Sequence, residues 1–170
     1  MSTVHARLSF ALAIAMMIAN PVVATAQGVS VGFSGLRQDT SVPIEVTADE
    51  LTVDQGEGKA VFNGNVLVVQ GDLRMTSGKV EVEYGADGTG ISQLTATGGV
   101  TVVTAQEAAE SAEAVYTIAS GALVMSGAVL LTQGPSTISG ERLVADLTAG
   151  TGRMEGRVKT VFQPAAKKGN

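Results

Sequence analysis

Phe62-Asn63-Gly64-Asn65-Val66-Leu67-Val68 is the stretch that decides how this chain folds, because it returns three more times. The copies are Ala96-Thr97-Gly98-Gly99-Val100-Thr101-Val102, Met125-Ser126-Gly127-Ala128-Val129-Leu130-Leu131 and Met154-Glu155-Gly156-Arg157-Val158-Lys159-Thr160. Successive glycines lie 34, 29 and 29 residues apart. A period in that range marks stacked repeats, none of which can bury its apolar face alone. The role expected of such a chain is a surface or a conduit, not an enzyme.

A second pattern precedes each glycine segment. It aligns as Val46 with Leu51 and Val53, Met75 with Val80, Val82 and Tyr84, Ala109 with Ala114, Tyr116 and Ile118, and Ile138 with Leu143, Ala145 and Leu147. Each repeat is therefore two half-repeats of roughly 15 residues, each a strand and a turn. Alternation sets the secondary structure. In Val80-Glu81-Val82-Glu83-Tyr84 every second residue is apolar, the period of a strand with one buried face. Turns are expected at Gly56-Glu57-Gly58, Gly85-Ala86-Asp87-Gly88, Gly134-Pro135-Ser136 and Ala149-Gly150-Thr151-Gly152. The one helix-tolerant stretch, Ala105 to Ala114, falls inside the repeat frame and is read as strand or loop. The expected fold is all-β.

Composition narrows the function. Residues 1–26 carry one positive charge, Arg7, an apolar run from Leu8 to Ala19 and a closing Ala24-Thr25-Ala26, the pattern of a signal peptide cut before Gln27. The remaining 144 residues suffice for one domain with a core. Without Arg7 they hold 10 basic and 16 acidic residues, a net charge of −6, which argues against nucleic acid as a partner. There is no cysteine, so neither a disulfide nor a thiolate metal site can form, and the only histidine is His5. The Gly- and Ser-rich segment 27–41 reads as a flexible or edge-covering arm, and 164–170 as a short tail after Pro164.

In register, the glycine segments give an apolar face with Phe62, Val66, Val68, Val100, Val102, Met125, Val129, Leu131, Met154 and Val158. The companions add Leu51, Val53, Val80, Val82, Tyr84, Tyr116, Ile118, Leu143 and Leu147. The opposite face is polar apart from Leu67, Val69 and Leu130. Two readings stand side by side. The stripe is either a packed core, as in a structural or adhesive β-solenoid, or a groove left open for an apolar ligand. Residues of modest size, with 4% aromatics, suit the second.

Sequence motifs for catalysis are missing: there is no G-x-S-x-G, phosphate loop or metal-spaced histidine cluster. Asp49-Glu50, Glu81 and Glu83 read as turn or solvent-facing charges, Tyr84 and Tyr116 as core or rim packing, and the aligned Lys79 and Arg142 as solvated cations. No enzymatic activity and no cofactor are expected.

Val42-Pro43-Ile44-Glu45-Val46-Thr47-Ala48-Asp49-Glu50-Leu51, followed by Ala60-Val61-Phe62-Asn63-Gly64-Asn65-Val66-Leu67-Val68-Val69-Gln70-Gly71, resembles the OstA-like family of periplasmic lipopolysaccharide-transport bridge proteins, the LptA family. The resemblance covers about Asp39 to Phe162 and implies an OstA-like domain over 42–163. Its implied fold is a twisted two-sheet β-jellyroll, open along one side. Its implied function is a non-enzymatic bridge carrying lipopolysaccharide from inner to outer membrane, with the lipid A acyl chains in the groove. Groove candidates are Phe62, Val66, Val68, Val80, Val82, Val100, Val102, Met125, Val129, Leu131 and Leu143. Protomers are expected to associate end to end through edge strands. Ile44, Val46, Leu51 and Val53 would face an anchored inner-membrane subunit, and Met154, Val158 and Phe162 an outer-membrane translocon. An anchored inner-membrane subunit of the same system is the alternative, with residues 1–26 retained. Gly64 and Asn65 are read as structural residues of a turn or bulge.

Overall fold

The computed structural model describes residues 29–32, 37, 39–85, 88 and 90–162, and of 29–32 the backbone alone. The expected signal peptide, residues 27, 28, 33–36 and 38 of the arm, and the tail lie outside them. The described residues form eleven strands and no helix: β1 (Val29–Gly32), β2 (Glu45–Thr47), β3 (Glu50–Asp54), β4 (Lys59–Gln70), β5 (Leu73–Tyr84), β6 (Ile91–Val103), β7 (Glu107–Thr117), β8 (Ala122–Gln133), β9 (Ser136–Asp146), β10 (Thr151–Glu155) and β11 (Lys159–Val161). The helix-tolerant Ala105–Ala114 stretch lies mostly in β7. Each half-repeat in the middle of the chain is one strand of 11–13 residues.

Alternate long strands, β4, β6 and β8, bulge at their middle, and the repeated glycine opens each bulge. Between Asn63 and Val66 β4 advances three residues while β5 advances two, from Lys79 to Ser77. The same extra residue recurs in β6 between Thr97 and Val100, and in β8 between Ser126 and Val129. These are β-bulges, which kink a strand and raise its twist. Both bulge residues have positive φ: 76° and 46° at Gly64-Asn65, 85° and 83° at Gly98-Gly99, 82° and 53° at Gly127-Ala128. Gly156-Arg157, at 75° and 40°, repeats the bend between β10 and β11. Space is short there too: a Cβ on Gly127 would lie 2.7 Å from Ala112 Cβ. The expected bulge role of Gly64 and Asn65 is thus what the backbone shows, and Asn65 Nδ2 donates to Asp49 Oδ2 at 2.7 Å to brace it.

All strand pairs are antiparallel, in the order β1-β10-β9-β8-β7-β6-β5-β4-β2, with β3 also on β4 and β11 also on β9. The two sheets expected from the sequence are therefore one continuous sheet, folded over along the line of bulges. One half-sheet holds β2, the later part of β4, the early part of β5 and so on to β11. The other holds β3, the early part of β4, the late part of β5 and so on to β10 and β1. The core is their inner face, with Val66, Val80, Val102, Leu94, Met125, Leu131 and Leu143 each at most 1% exposed. The architecture is a twisted β-jellyroll.

Candidate functional site: the interior and its rims

The inward positions run unbroken from strand to strand. Of the groove candidates, Val66, Val68, Val80, Val82, Val100, Val102, Met125, Val129, Leu131 and Leu143 are buried in one cluster, and Phe62 packs half-buried against it. Leu51 and Val53, expected on the same face, are 53% and 54% exposed on the edge strand β3, and Tyr84 is 42% exposed as the last residue of β5. A residual void lies between Val68, Leu73, Met75 and Val102 of one half-sheet and Tyr116 and Leu123 of the other. It amounts to about 10 Å³, about one water's worth and far too little for an acyl chain. Among the described residues, this part of the interior is closed.

Part of that closure is polar. Gln70, the last residue of β4, is 2% exposed. Its Nε2 donates to the carbonyls of Thr40 (3.2 Å) and Val42 (3.1 Å), and its Oε1 accepts from the Tyr116 hydroxyl at 2.8 Å. Tyr116 belongs to the opposite half-sheet, so this bond ties the two rims together. Residues 39–44 form a strap over it. Its start approaches the β7–β8 turn, since a Cβ on Gly121 would lie 3.5 Å from Thr40 Cγ2, and Ile44 lines the void. Asp39 Oδ1 accepts from the Ser41 backbone N–H and hydroxyl, which holds the Asp39 carboxyl below its ordinary range. Burial pushes the Tyr116 phenol up, and its bond to Gln70 opposes this in part. It is therefore a protonated donor at neutral pH.

A second rim carries a different arrangement. Gln133, the last residue of β8, stands opposite Glu107, the first of β7. Glu107 is 4% exposed, and its Oε1 accepts from Gln133 Nε2 at 2.6 Å. Its Oε2 is buried with no hydrogen-bond partner among the described residues. Sequence reasoning missed Gln70, Gln133 and Glu107. A signal existed for the glutamines, since each lies six residues beyond a repeat glycine, Gly64 or Gly127.

The edges differ from each other. At the N-terminal end β2 and β3 pair with β4 on one side, and among the described residues no strand covers the other. Ile44 and Val46 are half-buried there, beside exposed Leu51 and Val53. At the C-terminal end, Met154 is not on a free edge: its strand β10 is paired by β9 on one side and by β1 on the other, and its side chain is fully buried. Alternation marked Met154 as apolar and terminal, but nothing in it disclosed that residues 29–32 would take the outer position. The strand open on that side next to β9 is β11, flanked by half-buried Val158 and by Phe162, 77% exposed.

The outer face holds charges in pairs. Lys59 bonds Glu81 at 3.0 Å, raising the lysine and lowering the glutamate, and Arg142 bonds Glu155 at 3.0 Å, lowering the glutamate. Lys79 and Arg142, read as solvated cations, thus sit beside carboxylates, Lys79 at 3.9 Å from Glu81. Among the described residues no three His, Cys, Asp or Glu side chains converge as metal ligands.

Three comparisons bear on this architecture. An uncharacterized protein of Rhizobium meliloti (strain 1021) is 28% identical over 177 residues, covering 96% of this chain and 95% of its own length. The crystal structure of LptH, the LptA homologous periplasmic component of the conserved lipopolysaccharide transport device from Pseudomonas aeruginosa, superposes with a TM-score of 0.67. It covers 75% of this chain and 99% of LptH at 22% identity, a likeness of fold. The family described as LptA/(LptD N-terminal domain) LPS transport protein matches residues 45–151, from the first residue of β2 to the first of β10. Since that match takes in every bend of the central strands and nearly the whole meander, the chain belongs to the LptA/LptD N-terminal domain family of lipopolysaccharide-transport proteins.

Proposed function

We propose that this protein is a non-enzymatic periplasmic bridge that carries lipopolysaccharide from the inner to the outer membrane. The observation that carries the reading is the apolar inner face, continuous across the meander, in a chain of this family. Acyl chains would lie between the half-sheets against Val68, Val102 and Leu131. Because that part of the interior is closed, loading requires the rims to part, and each methylene then buried contributes about 0.8 kcal/mol. Strands with one edge unpaired among the described residues at both ends support end-to-end joining by strand addition. In this reading β2 and β3 meet the anchored inner-membrane subunit, and the C-terminal end, with β11, Val158 and Phe162, meets the outer-membrane translocon.

The test is photo-crosslinking to lipopolysaccharide in cells, with the probe at Val68, Val102 or Leu131 and controls at Lys79 and Thr101. Crosslinks from the three inward positions alone are expected. Their absence would leave the packed-core reading, a structural or adhesive solenoid, which the tightness of the interior favours. Intact mass of the exported protein separates a free bridge, lacking residues 1–26, from an anchored subunit that keeps them.

A further inference from the structure

We propose that Glu107 is a binding residue for a hydrogen-bond donor carried on the acyl region of the bound lipid, a hydroxyl or an amide N–H. The inference rests on the lipid-carrying reading and adds a polar subsite to it. Glu107 occupies the last inward position of β7 before the β6–β7 turn, two residues from buried Ala109, which pairs with Val102 and Leu131 of the apolar face. It is thus the point where the apolar face reaches the rim.

Its surroundings fix one side of the carboxyl and leave the other buried without a donor among the described residues. The backbone is held by Thr104, whose Oγ1 accepts from the Glu107 N–H at 3.2 Å and whose N–H donates to the Glu107 carbonyl at 2.9 Å. Gln133 Nε2 orients Oε1 at 2.6 Å. Oε2 is then a buried acceptor with no donor among the described residues. A buried acceptor without a donor is costly, and a ligand that brings the donor relieves that cost on binding. An apolar side chain would fill the position without penalty, as Leu73 does at the matching place opposite Gln70. The group suited to Oε2 has a donor next to a hydrocarbon chain, so that the chain enters the apolar interior while the donor stops at the rim.

The experiment uses the full chain and three neutral probes of equal chain length: methyl myristate, methyl β-hydroxymyristate and N-methylmyristamide. Each is scored by displacement of bound N-phenylnaphthylamine. The hydroxylated ester or the amide is expected to displace the dye at about tenfold lower concentration than the plain ester, the range of one net hydrogen bond. Whichever of the two shows the preference identifies the donor. Glu107→Ala should level the three probes. Glu107→Gln, which keeps the size of the side chain, should narrow the preference to within about twofold if the alanine variant does not fold. Equal displacement by all three in the unaltered protein overturns the inference, as does a preference that survives in both variants. If lipopolysaccharide crosslinks form at Val68 while the probes are not distinguished, only the Glu107 subsite fails. If neither crosslinks nor displacement occur, the carrier reading fails and this inference with it.

Discussion

Gln70 and Gln133 hold the same place in the repeat, six residues past a bend glycine and at the end of a long strand, yet the molecule treats them differently. Gln70 is clasped. Its amide nitrogen holds the strap at Thr40 and Val42, and its oxygen takes the Tyr116 hydroxyl from the opposite half-sheet. Gln133 bonds a neighbour in its own half-sheet, Glu107, whose second oxygen has no partner among the described residues. Repetition therefore sets where a polar group reaches the rim, while the partner that arrives there sets whether the rim is sealed. One rim is a closed clasp, and the other is a half-filled acceptor site.

The largest effect that would break this contrast is expected from Tyr116→Ala. It removes both the hydroxyl and a buried ring lining the void, so unfolding free energy should fall by about 3–5 kcal/mol in urea titration. A loss under about 1 kcal/mol would mean that the clasp does not hold the rims.

A finer comparison removes one hydrogen-bonding atom at each rim. Tyr116→Phe keeps the ring but leaves Gln70 Oε1 buried without a donor, a cost of about 1–3 kcal/mol. Glu107→Gln replaces an oxygen that had no partner to lose, so its cost should be smaller than that of Tyr116→Phe. Equal costs at the two rims, measured by the same titration, would erase the difference between them.

The clasp also has a signature in pH. Burial raises the Tyr116 phenol above its ordinary 10.0, so the folded state holds this proton more tightly than the unfolded chain does. Its contribution is complete below pH 10.0 and is lost as the pH climbs from there through the raised value. Unfolding scans should show a decline in that alkaline window that Tyr116→Phe flattens, with no matching change in Glu107→Gln. A decline of the same size in Tyr116→Phe would assign it to other groups.

What was legible in the sequence is what alternation and periodicity encode. The Gly-x-Val kernel located the bulges of β4, β6 and β8, and the run Val80-Glu81-Val82 assigned inward and outward faces as the structure has them. Alternation says nothing of which distant strand a rim will meet. Tyr116 and Gln70 are 46 residues apart, so their bond follows from the fold-over and from no local pattern. The same limit hid which edge residues 29–32 of the expected arm would cover, and with it the burial of Met154 between two strands. Glu107 was obscured for another reason. It stands among the alanines and glutamates of 105–114, where the binary pattern is weakest and a charged residue reads as solvent-facing.

The smallest expected effect concerns what the two rims share. Both glutamines depend on a bulge six residues upstream, and the bulges differ in their second residue: Asn65 before Gln70 and Ala128 before Gln133, at φ of 46° and 53°. Asparagine tolerates this backbone and here gains a bond to Asp49, whereas alanine carries a Cβ with no such compensation. Gly99 holds the matching place in β6 and has nothing within 4 Å of where its Cβ would be, so glycine fits the bend. Ala128→Gly should therefore raise stability by about 0.5–1 kcal/mol, relieved strain exceeding the added freedom of the unfolded chain. The probe preference at Glu107 should be unchanged. A gain that came with loss of that preference would show that the bend and the rim beyond it are one mechanical unit, and that the strained alanine helps to hold the acceptor site in place.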